Sequence, residues 1–392
     1  MKKILIMPLL RLPSGHHQVA EAVANMIQQQ KKDVEIKKID FISYTSGILE
    51  AIVTNLYLKW IRYTPGSYQW VYGKYVNADS KETALLKFYK HLFMKKMNQL
   101  VAEEKPDLII CTHGFPSLLL SQLKADGKIS IPVVNVYTDF FMNDMWGKEA
   151  IDAHFVPNKQ VQLSLMNKFK VPKKNIFITG IPVHSEFLLK KKDGLQRGGE
   201  NRKKVLISGG NSGLGDIINL LQDVKDARDF DYRVLCGNNQ KLLKQIQSWN
   251  LPHITPISYI TSRSAMNNLY NEADAIITKP GGVTISEVIR KNIPIFIHSA
   301  LPGQEEVNLK FLKDRGLAFE FMPDQPIESQ LAKVIGNDKK MSIFNKHLAA
   351  YNKELNVKEK DIASLIESLL ENHAYKEMRQ ARNDSFYVST SY

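Results

Sequence analysis

The stretch ITKPGGVTISEVIRKNIPIFIHSALPGQEEVNLKFLKDRG, from Ile277 to Gly316, constrains this chain most. It reads as strand, glycine turn, helix, strand, polar loop, helix. The turn at Gly281 and Gly282 lets backbone come close to a ligand, with the free N–H groups of the next helix aimed at it. An anion such as a diphosphate is drawn there, because a helix N-terminus carries roughly half a unit of positive charge. The second loop, Pro302-Gly303-Gln304-Glu305-Glu306, brings an amide and two carboxylates to the mouth of the same sheet. Such groups engage several hydroxyls at once, as a sugar requires. Together the two loops predict a nucleotide-sugar site.

The same alternation of short apolar runs and amphipathic stretches recurs along the chain, the pattern of parallel α/β layers. In the first half it predicts strands at Ile4–Leu9, Val34–Ile39, Leu108–Thr112, Val133–Thr138, His154–Val156 and Ile176–Thr179. A second series follows at Val205–Ser208, Tyr232–Leu235, Ile254–Ile257, Ala275–Thr278, Ile293–Ile297 and Leu317–Phe321. Between the two series, residues 188–204 are charged, glycine-rich and aperiodic, as a linker would be. A length of 392 residues suits two domains, each with its own core. The predicted units are 1–187 and 205–373, followed by a polar tail over 374–392. The fold class is therefore α/β, with two doubly wound, Rossmann-like domains facing a cleft. In such folds ligands bind beyond the carboxyl ends of the strands.

Composition narrows the partners. Cys111 and Cys236 fall at separate strand ends with no CxxC spacing, which argues against a disulfide framework or a zinc site and for a reducing cytosol. The start, MKKILIMPLLR, resembles a signal peptide. Its apolar run is broken by Pro8 and ends at Arg11, so Ile4 to Leu9 is read as a buried strand. No apolar run approaches the ~20 residues that cross a bilayer. The net charge of +13 calls for an acidic partner or surface. Nucleic acid finds no supporting motif. A membrane surface finds one: Tyr57 to Lys96 holds eight Lys/Arg against two acids. Tyr57, Trp60, Tyr63, Tyr68, Trp70, Tyr72, Tyr75, Phe88, Tyr89 and Phe93 interleave them. Tyr and Trp favour the headgroup level, and each basic residue near anionic lipid contributes about 1 kcal/mol. An ordinary helical insertion with an aromatic core fits the same composition.

Several further residues have more than one reading. The glycine-rich turn after Ser208, with Gly209 and Gly210, can bring backbone N–H groups to a phosphate, or be only a tight connection. It matches neither the Walker nor the dinucleotide spacing. Thr284-x-x-Glu287 is the pattern of a capping box, yet behind a glycine turn Glu287 can instead face ribose hydroxyls. His16, in the loop after the first strand, has a pKa suited to removing a hydroxyl proton near neutrality, or caps its helix. Asp139 ends another strand and orients such a base, binds acceptor hydroxyls, or caps a helix. Asp229-Phe230-Asp231 imitates a metal-binding DxD but precedes its strand, which is the wrong end of the sheet.

Collected together, TKPGGVTISE with LPGQEEVN, Thr138-Asp139, the run Thr179 to Val183, the Gly15-His16 turn and the basic-aromatic insertion resemble one family. It is the monogalactosyldiacylglycerol synthase and processive diacylglycerol glucosyltransferase family. The matches run in order over roughly residues 1–370, and the KPGG and PGQE pair is its specific part. The resemblance implies a GT-B fold and an inverting transfer of a hexose from a UDP-sugar to a lipid hydroxyl, without a metal or other cofactor. It implies that Gly281, Gly282 and Thr284 lie at the diphosphate, Glu287 at the ribose, and Gln304 and Glu305 at the sugar, with Lys279 also among the donor-binding residues. His16 would be the base or its helper, and Asp139 would lie near the acceptor. Diacylglycerol or a related lipid is the implied acceptor, at the cytoplasmic face of the cell membrane. Pro13-Ser14-Gly15 replaces the family's more glycine-rich SxGxGH loop, which leaves the acceptor open. Two other readings share the donor site: a UDP-sugar epimerase and a non-catalytic UDP-sugar sensor.

Overall fold

A computed structural model describes residues 1–9, 14–31, 33–45, 84–188, 202–209, 217–226, 229–322 and 324–371, with the side chains of 84–91 left out. Gly210, the polar tail and the segment from Tyr57 to Thr83 therefore lie outside the described residues.

Every predicted strand forms, with ends that differ by a few residues at most. The first sheet contains β1 (Lys2–Met7), β2 (Val34–Lys38), β3 (Leu108–Cys111), β4 (Val133–Val136), β5 (Ala153–Val156) and β6 (Ile176–Ile178). The second contains β7 (Lys203–Ser208), β8 (Phe230–Leu235), β9 (Ile254–Ile257), β10 (Ala275–Thr278), β11 (Ile295–Ile297) and β12 (Phe319–Glu320). The orders are β2-β1-β3-β4-β5-β6 and β12-β11-β10-β7-β8-β9. Every pairing is parallel.

Parallel strands buried on both faces read as near-continuous apolar runs. The inner strands β1, β3, β4, β7 and β10 come closest, while the edge strand β2 carries Glu35, Lys37 and Lys38 and β8 alternates buried with half-buried residues. Alternate residues feed different cores. Ile4 and Ile6 enter one apolar cluster, Leu5 and Met7 another. In the second sheet Leu206 joins the first of these clusters, while Val205 and Ile207 face a third. The shared cluster runs across both halves through Ile181, Phe187 and Val283. It welds the halves along one side of the cleft.

Each strand order reverses once, between β1 and β3 in the first sheet and between β7 and β10 in the second. At such a switch point neighbouring loops diverge and leave a crevice. Ser14, Gly15 and His16 emerge after β1, and Lys279 to Gly282 after β10. The two predicted loops thus sit at the two places where the topology opens.

After the helix Asp338–Glu354 the chain crosses back to the first sheet. The Asn356 N–H donates to the Ile178 carbonyl at 2.9 Å, and its side-chain oxygen accepts from the Ile178 N–H at 2.7 Å. A final helix over 359–371 packs Ile362, Ile366 and Leu370 into the cluster that holds Ile4, Val19 and Val23. Lys31 pairs with Glu367, and Gln30 donates to the Lys360 carbonyl at 2.6 Å. The last helix therefore belongs spatially with the first sheet.

Candidate active site

A cleft of about 650 Å³ lies between the carboxyl ends of the two sheets. From the first half it is lined by Ser14, Gly15, His16, Gln18, Thr138 and Asp139. Across from them stand Gly281, Gly282, Thr284, Glu287, Gln304 and Glu305. Two expected residues are placed differently. Gly209 is buried behind Ser208, which does line the cleft. Lys279 is set back from the lining, and its charge reaches Glu305.

His16 belongs to the first turn of the helix Gly15–Gln30. Its Nδ1 lies 2.9 Å from the Thr112 carbonyl and 3.0 Å from the Thr138 hydroxyl. A carbonyl can only accept, so Nδ1 carries the proton and Nε2 keeps the lone pair. The Thr112 hydroxyl donates to the His16 carbonyl at 3.0 Å, and the His113 ring stands edge-on at 4.6 Å. Burial lowers the pKa of His16, opposed by the charge of Asp139 and by the bond to Thr112. The result is a neutral imidazole held from one side. His17 is occupied elsewhere, with Nδ1 at 3.1 Å from the Ser14 hydroxyl.

Asp139 is buried enough that its carboxyl pKa is raised, against the pull of a bond from Asn308 and of the positive charge that His16 carries when protonated. The Asn308 amide donates to Asp139 Oδ1 at 2.9 Å.

The helix Gly282–Arg290 starts with Gly281 as its N-cap and no side-chain cap. Thr284 is thus inside the helix, and the capping-box reading of Thr284 and Glu287 does not hold. Glu287 accepts instead from the Tyr270 hydroxyl at 2.8 Å. Burial pushes its pKa up to about 7, against that bond and the charge of Arg263. The two glycines divide the work between them. A Cβ on Gly281 would meet nothing within 4 Å, whereas one on Gly282 would lie 2.2 Å from the Thr138 carbonyl. Gly282 is therefore required by the close approach of the two halves, and Gly281 faces open space.

Gly303, at φ 97°, begins the helix Gln304–Asp314 in a conformation that favours glycine. Glu306 accepts from the Gly303 N–H at 3.1 Å and serves the loop. Glu305 accepts from the Leu301 N–H at 2.7 Å and also lines the cleft, where burial raises its pKa.

The sequence reading missed one wall, Ser258 to Arg263, which follows β9 and leads into the helix Arg263–Glu272. Its available signal was position: a Ser-rich loop at a strand's carboxyl end, with Ser262 as the helix cap. Asp229 and Asp231 flank Phe230 at the opposite end of β8 from the cleft. Among the described residues, no helix is long and apolar enough to cross a membrane.

Comparison with known proteins converges on the same assignment. The family model described as monogalactosyldiacylglycerol (MGDG) synthase matches residues 16–183. A glycosyltransferase of Bacillus subtilis (strain 168), YkoN, whose own role is uncharacterized, is 39% identical over 91% of this chain and 94% of its own length. A processive diacylglycerol beta-glucosyltransferase of Bacillus thuringiensis (strain Al Hakam) is 30% identical over 84% of each chain. Among solved structures, Acinetobacter baumannii MurG superposes with a TM-score of 0.58 at 16% identity, covering 94% of this chain and all of its own. The UDP-GlcNAc 2-epimerase of Neisseria meningitidis superposes with a TM-score of 0.53 at 14% identity, over 95% of this chain. These structural likenesses establish the GT-B fold, which transferases and epimerases share. The two sequence relatives establish more: this chain is a glycosyltransferase and belongs to the monogalactosyldiacylglycerol synthase and diacylglycerol glucosyltransferase family.

Proposed function

We propose that the protein transfers a hexose from a UDP-sugar to the hydroxyl of diacylglycerol or a related lipid, with inversion, at an anionic membrane surface on the cytoplasmic side. One observation carries the reading. A neutral histidine with a free Nε2 shares a single cleft with an uncapped helix N-terminus and the polar group Glu287, Gln304 and Glu305.

In this reading the acceptor hydroxyl enters beside His16 and Asp139. Its oxygen bonds to the anomeric carbon while its proton passes to His16 Nε2. The bond from that carbon to the diphosphate oxygen breaks, and the electron pair leaves on UDP. The positive end of the helix Gly282–Arg290, with Gly281 and Thr284, meets the growing charge. Glu287 accepts from the ribose hydroxyls, and Gln304 and Glu305 bind the sugar. Attack from the side of the first half, opposite the diphosphate, inverts the anomeric centre.

The net charge of +13 and the basic, aromatic run from Tyr57 to Lys96 support attachment to anionic lipid.

The test is incubation with UDP-glucose, UDP-galactose or UDP-N-acetylglucosamine over vesicles containing diacylglycerol, followed by NMR of the product. A β-linked glycolipid formed from an α-linked donor is expected. An α-linked product would overturn inversion. Failure of lipid to accelerate UDP release from any donor would overturn the lipid acceptor, and conversion of the UDP-sugar without acceptor would favour an epimerase.

A further inference from the structure

Three consecutive residues at the end of β4, Thr138, Asp139 and Phe140, touch the second half of the molecule one after another. The Thr138 carbonyl abuts Gly282 so closely that a Cβ there would come within 2.2 Å. The Phe140 ring stacks on Phe311 at 5.0 Å, 9° from parallel. Asn308 engages the other two contacts together. Its Nδ2 donates to Asp139 Oδ1 at 2.9 Å, and its Oδ1 accepts from the Phe140 N–H at 2.9 Å. It is 1% exposed.

The arrangement admits one orientation of the amide. Flipping it would set NH₂ against N–H and oxygen against carboxylate, leaving a buried donor and acceptor unpaired. The next peptide is held as well, because the Asn158 side-chain amide donates to the Phe140 carbonyl at 2.7 Å. Asn308 lies four residues beyond Gln304, one turn along the same helix. The helix that offers Gln304 and Glu305 to the cleft thus also holds the carboxylate beside His16.

We propose that Asn308 is a positioning residue for the transfer: it couples the sugar-side helix to Asp139, and through Thr138 to His16, so that acceptor activation is assembled only when the two halves are closed on one another. The proposal rests on the transferase reading above. Asn308 also lines the cleft, and the role assigned to it rests on the bonds from its amide to Asp139 and from the Phe140 N–H, not on contact with the donor. The titratable groups that face Asp139 are His16 from the first helix and Glu305 from the sugar-side helix, with Lys279 acting on Glu305.

The experiment measures kcat and donor KM for wild type, N308A and N308D in the lipid assay, at pH 6 and pH 8, with UDP affinity alongside. For N308A, kcat is expected to fall ten-fold or more while donor KM and UDP affinity stay within about two-fold. N308D still accepts from the Phe140 N–H but sets a second carboxylate against Asp139. At pH 8 both ionise and repel. At pH 6 the pair can share a proton and restore the missing hydrogen bond. Its rate relative to wild type should therefore recover several-fold from pH 8 to pH 6, which a merely structural role would not produce.

A rise in donor KM at unchanged kcat would make Asn308 a ligand of the donor and overturn the proposal. So would an indifferent N308A, or an N308D-to-wild-type ratio flat with pH, and the latter decides the matter if N308A does not fold. A wild type that makes no glycolipid sinks the transferase reading instead, whatever the variants do.

Discussion

Glu287 is held by two opposing influences. Burial favours its protonated form up to about pH 7, while the Tyr270 hydroxyl and the Arg263 charge favour the carboxylate. Its folded pKa exceeds the ordinary carboxylate value, so its contribution to stability is full below about pH 4.5 and is lost as pH rises through 7. A ribose that donates two hydroxyls favours the ionised form. Uridine does not titrate in this range, and its affinity should climb with pH, up to ten-fold per unit, and level off above pH 7. Glu287→Gln removes both effects: uridine affinity at pH 8 should drop roughly 5- to 30-fold, the difference between a charged and a neutral acceptor. The melting temperature at pH 8 should hold or rise, and calorimetry at pH 4.5 should find the two proteins alike. A pH-independent uridine affinity in the wild type would remove Glu287 from the ribose. The carboxylate itself is legible in the sequence as an acid just behind a glycine turn. Tyr270 is not, because a contact between residues 17 apart on successive helices depends on how both pack on the sheet.

The first residues of the helix Gly282–Arg290 bear both on the proposed UDP binding and on the close approach of the two halves. Gly281→Ala should leave melting temperature nearly unchanged, since its φ of −76° suits any residue and the new Cβ meets nothing. The methyl would enter the cleft and weaken UDP binding. Gly282→Ala should do the reverse first: overpacking against the Thr138 carbonyl costs about 1–3 kcal/mol, read as a drop of several degrees on melting. Equal melting temperatures for the two variants would refute this division. The sequence motif marks both glycines as one turn at a ligand. Their separate tasks emerge only when the opposite sheet is in place. The Thr179 to Val183 motif has a similar history. Gly180, at φ 71°, fits beneath Arg290, where a Cβ would lie 2.9 Å from the guanidinium. Ile181 joins the cluster shared by both halves. That motif marks a junction between domains, invisible to a linear reading because its partners lie more than a hundred residues downstream.

For the molecule as a whole, the net charge of +13 bears on the proposed attachment to a membrane. Attachment to phosphatidylglycerol vesicles should weaken as salt rises, because the screening length falls from ~10 Å at 0.1 M to ~3 Å at 1 M. Neutralising Lys87, Lys90, Lys95 and Lys96 together should shift the protein to the supernatant in a sedimentation assay, and binding indifferent to salt and to these lysines would refute the electrostatic attachment. The strands were legible because inner parallel strands covered on both faces read as short apolar runs, and loops at their carboxyl ends carry the polar motifs. The return of the C-terminal helix was not legible: its apolar face reads the same whichever sheet it covers. That return has a practical consequence for recombination among relatives. A hybrid that swaps the second half has two seams, one between Leu188 and Arg202 and another near Leu355. Residues 356–371 must be inherited with the first half, or Ile178 loses its edge partner and the first helix its cover.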